Sequence, residues 1–420
     1  MQTPATNARS MAAYAEFVAE DRLTRMRSRA AALEDRRVAH VNSTAAGGGV
    51  VELLRSLVPL LNDLGVPTDW LVMDADGPFF DVTKAIHNGL QGDDAPFTDE
   101  MWRTYRDVNE RNADAMDEYD VVVLHDPQPL GMVEGLRERF PEATLVWRCH
   151  IDLTDANPAV LDALEPYVER IDHAVFSREQ YGRGVEGVPK TVIHPAIDPL
   201  TDKNRELDPA DVDAVRGELP TVLFDPEVPV VTQVSRFDPW KDPIGVLRTH
   251  RRVTESVLDA HLVLAGGMAD DDPEGQAVYD RVVAAAEADA GVTLLTDLSD
   301  VAVNVLQREA SVVLQKSLRE GFALTVSEAL WKRTPVVGSN VGGIPLQVAD
   351  GECGFLVEPE DIETAADRVR TLLTDDERRT EMGENGRERV RERFLLPRLA
   401  HDYLDLLAEA TGVTDAAADD

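Results

Sequence analysis

Two carboxylates eight positions apart, Glu320 and Glu328, flank a turn in the stretch Lys316–Trp331, KSLREGFALTVSEALW. The apolar run Val312-Val313-Leu314 before it reads as the end of a buried strand. Gly321 breaks the chain, and Thr325–Arg333 has helix-forming character until Pro335 stops it. A helix N-terminus offers unpaired N–H groups and a partial positive charge, which suits a phosphate. Carboxylates are poor phosphate ligands but good acceptors for sugar hydroxyls. The stretch is therefore suited to a ligand joining phosphate to hydroxyl-rich rings, such as a nucleotide sugar. Either acid alone reads as a helix-start acid or a solvated face. The pair, with a strand before it and Gly321-Phe322 after the first, favours the ligand.

Cations occur on a second loop. Arg236 and Lys241 lie in Ser235–Asp242, directly after the strand-like run Val230–Val234. The chain has only six lysines, so one beside Trp240 is less easily dismissed as a surface ion pair. A planar guanidinium and a point-like ammonium on one loop suit a diphosphate. A third loop, Asn42–Gly49, separates the strand Val38–Val41 from an amphipathic helix over Val50–Leu64. It matches neither the Gly-x-Gly-x-x-Gly fingerprint nor a P-loop. By itself it serves equally well as a phosphate cradle or a tight turn, with Gly48 and Gly49 the candidates. His125-Asp126 and Cys149-His150 end two further strands, where parallel sheets face their ligands. Asp74-Ala75-Asp76 spells a metal-binding pattern, but such triplets are common in so acidic a chain and it reads as surface loop. Cys149-His150 lacks a second ligand pair at zinc spacing. No metal and no cofactor are expected.

The phrase Glu320-Gly-Phe-Ala-Leu-Thr-Val-Ser-Glu328 resembles the Glu-x7-Glu motif of retaining glycosyltransferases of family 4, which have the GT-B fold. The resemblance runs over roughly residues 38–405. It implies that Glu320 contacts the donor sugar and Glu328 the ribose, with Gly321, Phe322, Leu324 and Thr325 beside them. Arg236 and Lys241 match the family's diphosphate clamp. His150 falls where the family places a histidine near the donor sugar's C6 hydroxyl, with Asp126 helping to orient the sugar. Phe79–Gly92 and His125–Pro129 resemble the trehalose glycosyltransferring synthases within that family. The implied reaction joins an NDP-glucose to free glucose, with retention and without metal, and ADP, UDP or GDP as carrier. The alternatives are a trehalose phosphorylase, another family 4 hexosyltransferase with a different acceptor, and a non-catalytic nucleotide-sugar binder.

The elements that must position these residues form an α/β chain of 420 residues, too long for one ordinary core. The resemblance implies two Rossmann-like α/β/α domains facing a cleft. The expected division is an N-terminal helical arm over 1–37, an acceptor domain over 38–215 joined by a C-terminal crossing helix at 397–412, and a donor domain over 216–396. Asp270–Asp272 is expected in a turn, and the tail from Thr414 is expected to be disordered. The formal charge is −36, from 78 acids against 42 bases. That balance repels nucleic acid and anionic membranes. Spread along the whole chain, it suggests a surface adapted to high salt, where screening shortens to a few ångströms. No apolar run spans a membrane and no secretory leader opens the sequence, so a cytoplasmic enzyme is expected. A homodimer is left open.

Overall fold

The computed structural model describes every residue except Asn7, Ala95, 268–272 and 414–420. The acidic turn and the tail expected from the sequence lie outside the described residues. The chain divides into two compact units, Met1–Ala196 with the segment from Leu396 onward, and Ile197–Leu395. Residues 197–215, grouped by the sequence with the first domain, cluster with the second. The helix Leu396–Ala410 belongs to the first unit, as does the helical N-terminal arm. Arg29 of the arm pairs with Asp405 of that helix at 2.9 Å.

The first unit is built on a six-stranded parallel sheet. Its strands are β1 (Val38–Asn42), β2 (Thr68–Val72), β3 (Val121–His125), β4 (Thr144–Cys149), β5 (His173–Phe176) and β6 (Lys190–Val192). Their spatial order is β2-β1-β3-β4-β5-β6. β1 and β3 are buried along their whole length, as expected of strands covered on both faces. The helix Gly49–Asp63 buries Leu53, Leu54, Leu57, Leu60 and Leu61, the leucines whose helical spacing is legible in the sequence. Phe79–Gly92 lies largely in one helix, Gly77–Leu90, with Phe79, Val82, Thr83, Ile86 and Leu90 buried. Asp76 caps that helix, accepting a hydrogen bond from Phe79 N. Much of the stretch is therefore core.

The second unit repeats the plan with β7 (Val230–Val234), β8 (His261–Gly266), β9 (Val292–Thr296), β10 (Val312–Gln315), β11 (Val336–Ser339) and β12 (Gly354–Val357). Their order is β12-β11-β10-β7-β8-β9, again all parallel. In each sheet the chain first winds one way and then crosses to the other side of its first strand. The reversal falls between β1 and β3 in the first sheet and between β7 and β10 in the second. The ends of diverging loops leave room for a ligand at such a point. Of the five loops singled out by the sequence, four leave the strands β1, β3, β7 and β10, and the fifth leaves β4, the neighbour of β3. Among the described residues, no helix is long and apolar enough to cross a membrane.

Candidate active site

In the second unit the loops after β7 and β10 meet. Lys241 Nζ stands 2.5 Å from Glu320 Oε2, and Ser317 Oγ donates to the same oxygen at 3.1 Å. The side chains of Lys241 and Glu320 are 18% and 8% exposed, so the pair is largely sheltered from water. Backbone contacts fix it from beneath. Leu318 N donates to Trp240 O at 2.8 Å, and Gln233 Nε2 donates to Lys241 O at 2.8 Å. Arg236 lies on the same loop with its side chain 58% exposed, 3.5 Å from Asp238 Oδ2. Asp238 is occupied in shaping the turn, since its Oδ1 accepts from Trp240 N at 2.8 Å.

The loop carrying Glu320 is held against the turn after β11. Gly342 has φ +55°, and a Cβ there would lie 1.7 Å from Glu320 O. A Cβ on Gly343 would lie 2.7 Å from Phe322 Cα. Ala323 takes a left-handed conformation, φ 66°, at the cap of the helix Leu324–Trp331. A non-glycine residue there stores strain, a feature concentrated at ligand-binding turns. Phe322 is buried and packs edge-on against Phe394, so its ring belongs to the core.

Glu328 has a separate setting. It is 4% exposed, with Gln307 Nε2 at 3.5 Å from Oε2 and Lys203 Nζ at 4.0 Å from Oε1. Thr325 Oγ1 accepts from the same Gln307 amide at 3.1 Å. Lys332, wholly buried, donates to Asn204 Oδ1 at 2.9 Å, and burial lowers its pKa to about 7. Lys203, Gln307 and Lys332 carry no motif. Only the scarcity of lysine marked two of them in the sequence.

In the first unit, Gly47 and Gly48 have φ values of 72° and 80°, and neither has an atom within 4 Å of a would-be Cβ. Glycine is required there by backbone conformation, not by crowding. The helix beginning at Gly49 has no side-chain cap. Asp126, expected to orient a sugar, is also left-handed at φ 64°, and its Oδ1 accepts from His150 N at 2.7 Å. It thereby positions the start of the loop after β4. His150 Nε2 lies 3.1 Å from His125 Nδ1, and His125 Nε2 lies 2.9 Å from His40 Nδ1. His40 carries no signal in the sequence, and His125 stands out there only as the end of its strand. Among the described residues, no group of His, Cys, Asp and Glu is arranged to hold a metal ion.

Burial sets the protonation of this cluster. It lowers the His40 pKa to about 3. His125 is held well below the usual range by burial first, then by His40, His150 and Arg148. His150 is lowered by burial and then by Arg148. Burial raises Asp126 to about 6. A histidine with a folded pKa below 6.5 takes up a proton on unfolding, so its stability contribution is lost as pH falls below 6.5. Asp126 acts oppositely, since its contribution is present at low pH and lost as pH rises through about 6. Between pH 7 and pH 5, His40 should cost roughly 2 kcal/mol, His125 and His150 should act in the same direction, and Asp126 should offset about 1 kcal/mol. Thermal melts across that range at fixed salt should show the fall, and His40→Asn should reduce it by one histidine's share. A wild-type melting temperature independent of pH would contradict the buried neutral cluster.

Comparison with known proteins follows the same division of the chain. Residues 40–183 match the trehalose synthase N-terminal domain, and residues 219–389 match the glycosyl transferases group 1. The chain is 44% identical over 414 residues to a trehalose synthase of Rubrobacter xylanophilus, covering 96% of this chain and 98% of that one. It is 41% identical over 401 residues to a trehalose synthase of Thermococcus litoralis, covering 94% and 95%. The chain belongs to the trehalose synthase family. The family suggested by Glu320–Glu328 and Phe79–Gly92 is thus the right one. An α,α-trehalose-phosphate synthase (UDP-forming) from Burkholderia xenovorans, solved in complex with glucose-6-phosphate, has a similar fold. The TM-score is 0.72 at 14% identity, covering 89% of this chain and 99% of that one. The two parallel-sheet α/β domains are those of GT-B glycosyltransferases.

Proposed function

We propose that this protein is a retaining hexosyltransferase that joins NDP-glucose to free glucose, giving α,α-trehalose and NDP. The second unit takes the nucleotide sugar and the first takes the acceptor. The observation that carries this reading is the sheltered Lys241–Glu320 pair at the β7/β10 reversal. It sets a cation and a carboxylate side by side, as a diphosphate bonded to a sugar requires. Lys241 and Arg236 neutralise the diphosphate, and Glu320 accepts from donor hydroxyls. Glu328 accepts from the ribose, while the Gly48–Gly49 loop and His150 offer donors to sugar oxygens.

The C1–O bond to the diphosphate breaks as the acceptor hydroxyl oxygen bonds to C1 on the same face. The acceptor proton passes to the departing phosphate oxygen. Charge grows on that leaving group, and preorganised cations stabilise it at the moment of reaction. Lys241 and Arg236 supply positive charge of the kind a metal gives elsewhere, so the reaction is proposed to need none.

Incubation with NDP-glucose and labelled glucose should give a non-reducing labelled product that an α,α-trehalose-specific hydrolase cleaves. EDTA should leave the rate unchanged. A product resistant to that hydrolase, or one formed only when inorganic phosphate is supplied, would favour another acceptor or a phosphorylase. Activity lost to EDTA and restored by a divalent ion would overturn the metal-free mechanism.

A further inference from the structure

His40, His125 and His150 form a diagonal across three strands. In the parallel register His40 lies opposite Val123, and His125 opposite Arg148. Each step therefore moves one strand over and two residues forward. Two residues along a strand return to the same face, so the three rings stay on one side of the sheet. The nitrogen contacts are 2.9 Å and 3.1 Å. Successive rings lie close, with centroids 5.2 Å and 5.4 Å apart. His40 and His125 are 0% and 1% exposed, while His150 at the strand end is half-buried.

Such a chain of neutral rings has two possible directions. In one, His40 Nδ1–H donates to His125 Nε2, and His125 Nδ1–H donates to His150 Nε2. His150 then carries its proton on Nδ1, and the chain begins with a bare nitrogen at His40 Nε2. In the other direction every proton moves to Nε2. His40 Nε2 would then be a buried N–H, and His150 Nδ1 would be a bare acceptor.

Among the described residues His40 Nε2 has no hydrogen-bond partner, so it decides between them. A buried orphan N–H is rarer in proteins than an under-used acceptor. A nearby hydroxyl is compatible with the choice. Tyr403 packs edge-on against His40 with its own hydroxyl unpartnered, and it can donate. This neighbour does not demand an N–H from His40.

We propose that His40 and His125 are positioning residues that lock His150 in its Nδ1–H tautomer, presenting a fixed hydrogen-bond donor to a hydroxyl oxygen of a bound sugar. His150 Nδ1 makes no hydrogen bond among the described residues. Asp126 holds the His150 backbone at 2.7 Å, so ring and backbone are fixed from two directions. Burial and the Arg148 charge keep the rings neutral, so the chain conveys a tautomer and not a proton. The identity of the acceptor oxygen rests on the sugar-transfer reading; the tautomer does not.

The test is two-armed. Histidine ¹⁵N-labelled free protein, examined by long-range ¹H–¹⁵N correlation near neutral pH, should show His150 with Nδ1 protonated and Nε2 bare. His125 and His40 should share that pattern. A protonated Nε2 on His150, or exchange between tautomers, overturns the lock whatever the enzyme's activity. In the second arm, His125→Phe should release the tautomer in the spectrum and lower kcat about tenfold, the effect of one lost hydrogen bond. His150→Asn keeps an N–H near the Nδ1 position and should retain more turnover than His150→Gln. A released tautomer with unchanged kcat, or equal loss in the Asn and Gln variants, overturns the donor role. Absence of sugar transfer in the wild type would defeat the functional reading and leave the spectroscopic result standing.

Discussion

Lys241→Ala should lower kcat by about 10²–10³-fold while leaving the fold in place. The side chain meets Glu320 Oε2 at 2.5 Å, but the loop is anchored by backbone contacts. Leu318 N to Trp240 O and Gln233 Nε2 to Lys241 O survive the substitution. The cost to stability is that of leaving Glu320, 8% exposed, without the Lys241 ammonium. Water admitted by the smaller alanine limits that cost. In turnover no such compensation exists, because water cannot replace a fixed ammonium against charge developing on the leaving diphosphate. Arg236→Ala is the cleaner companion. Its side chain is 58% exposed, so stability should change by no more than about 0.5 kcal/mol. Its turnover should nevertheless fall. Stopped-time assays and thermal melts on both variants make the comparison. Near-normal rates in both would remove these residues from the reaction.

Gly342→Ala should be the most damaging single methyl group in the second unit. Two costs coincide there. At φ +55° an alanine is strained by roughly 1–2 kcal/mol. Its Cβ would also lie 1.7 Å from Glu320 O and 2.6 Å from the carbonyl carbon, both backbone atoms that cannot swing aside. Relief requires the Glu320 loop to move, and a displacement near 1 Å at a reacting centre costs on the order of 10²-fold in rate. Both the melting temperature and kcat should therefore fall. Gly351→Ala provides the control, because it has φ +78° but nothing within 4 Å of the added carbon. It should show only the backbone strain and near-normal turnover. If Gly342→Ala and Gly351→Ala behaved alike, the Glu320 loop would not be held as described.

The strands and the chemistry of individual loops were legible in the sequence. Val230–Val234 is a strand as read, and Val312–Leu314 lies within β10. β-branched runs of that length, closed by glycine or polar residues, have few other uses in an α/β chain. The leucine spacing marked the helix Gly49–Asp63 to within a residue or two. Glu320, Glu328, Arg236 and Lys241 stood out because their types and intervals are local properties. The unit boundary at 196/197 was less legible, since 197–215 has weak periodicity and takes its allegiance from packing.

Partnership between distant residues was not local, and only the tertiary structure decided it. Lys241 and Glu320 are 79 positions apart and meet because β7, flanked by β8 on one side, takes the sequence-distant β10 as its other neighbour. Glu320 and Glu328 are close in sequence, yet different partners hold them. In the sequence His40 passes for an ordinary strand histidine, and His125 and His150 stand at strand ends with nothing to join the three. They become a chain only when the parallel register sets residue 40 opposite 123 and residue 125 opposite 148. A shift of one residue in either pairing would turn a ring to the opposite face and break the line. Residue types and short intervals thus determined which groups the protein has to work with. Register and strand order, set by burial across the whole sheet, determined which of them meet.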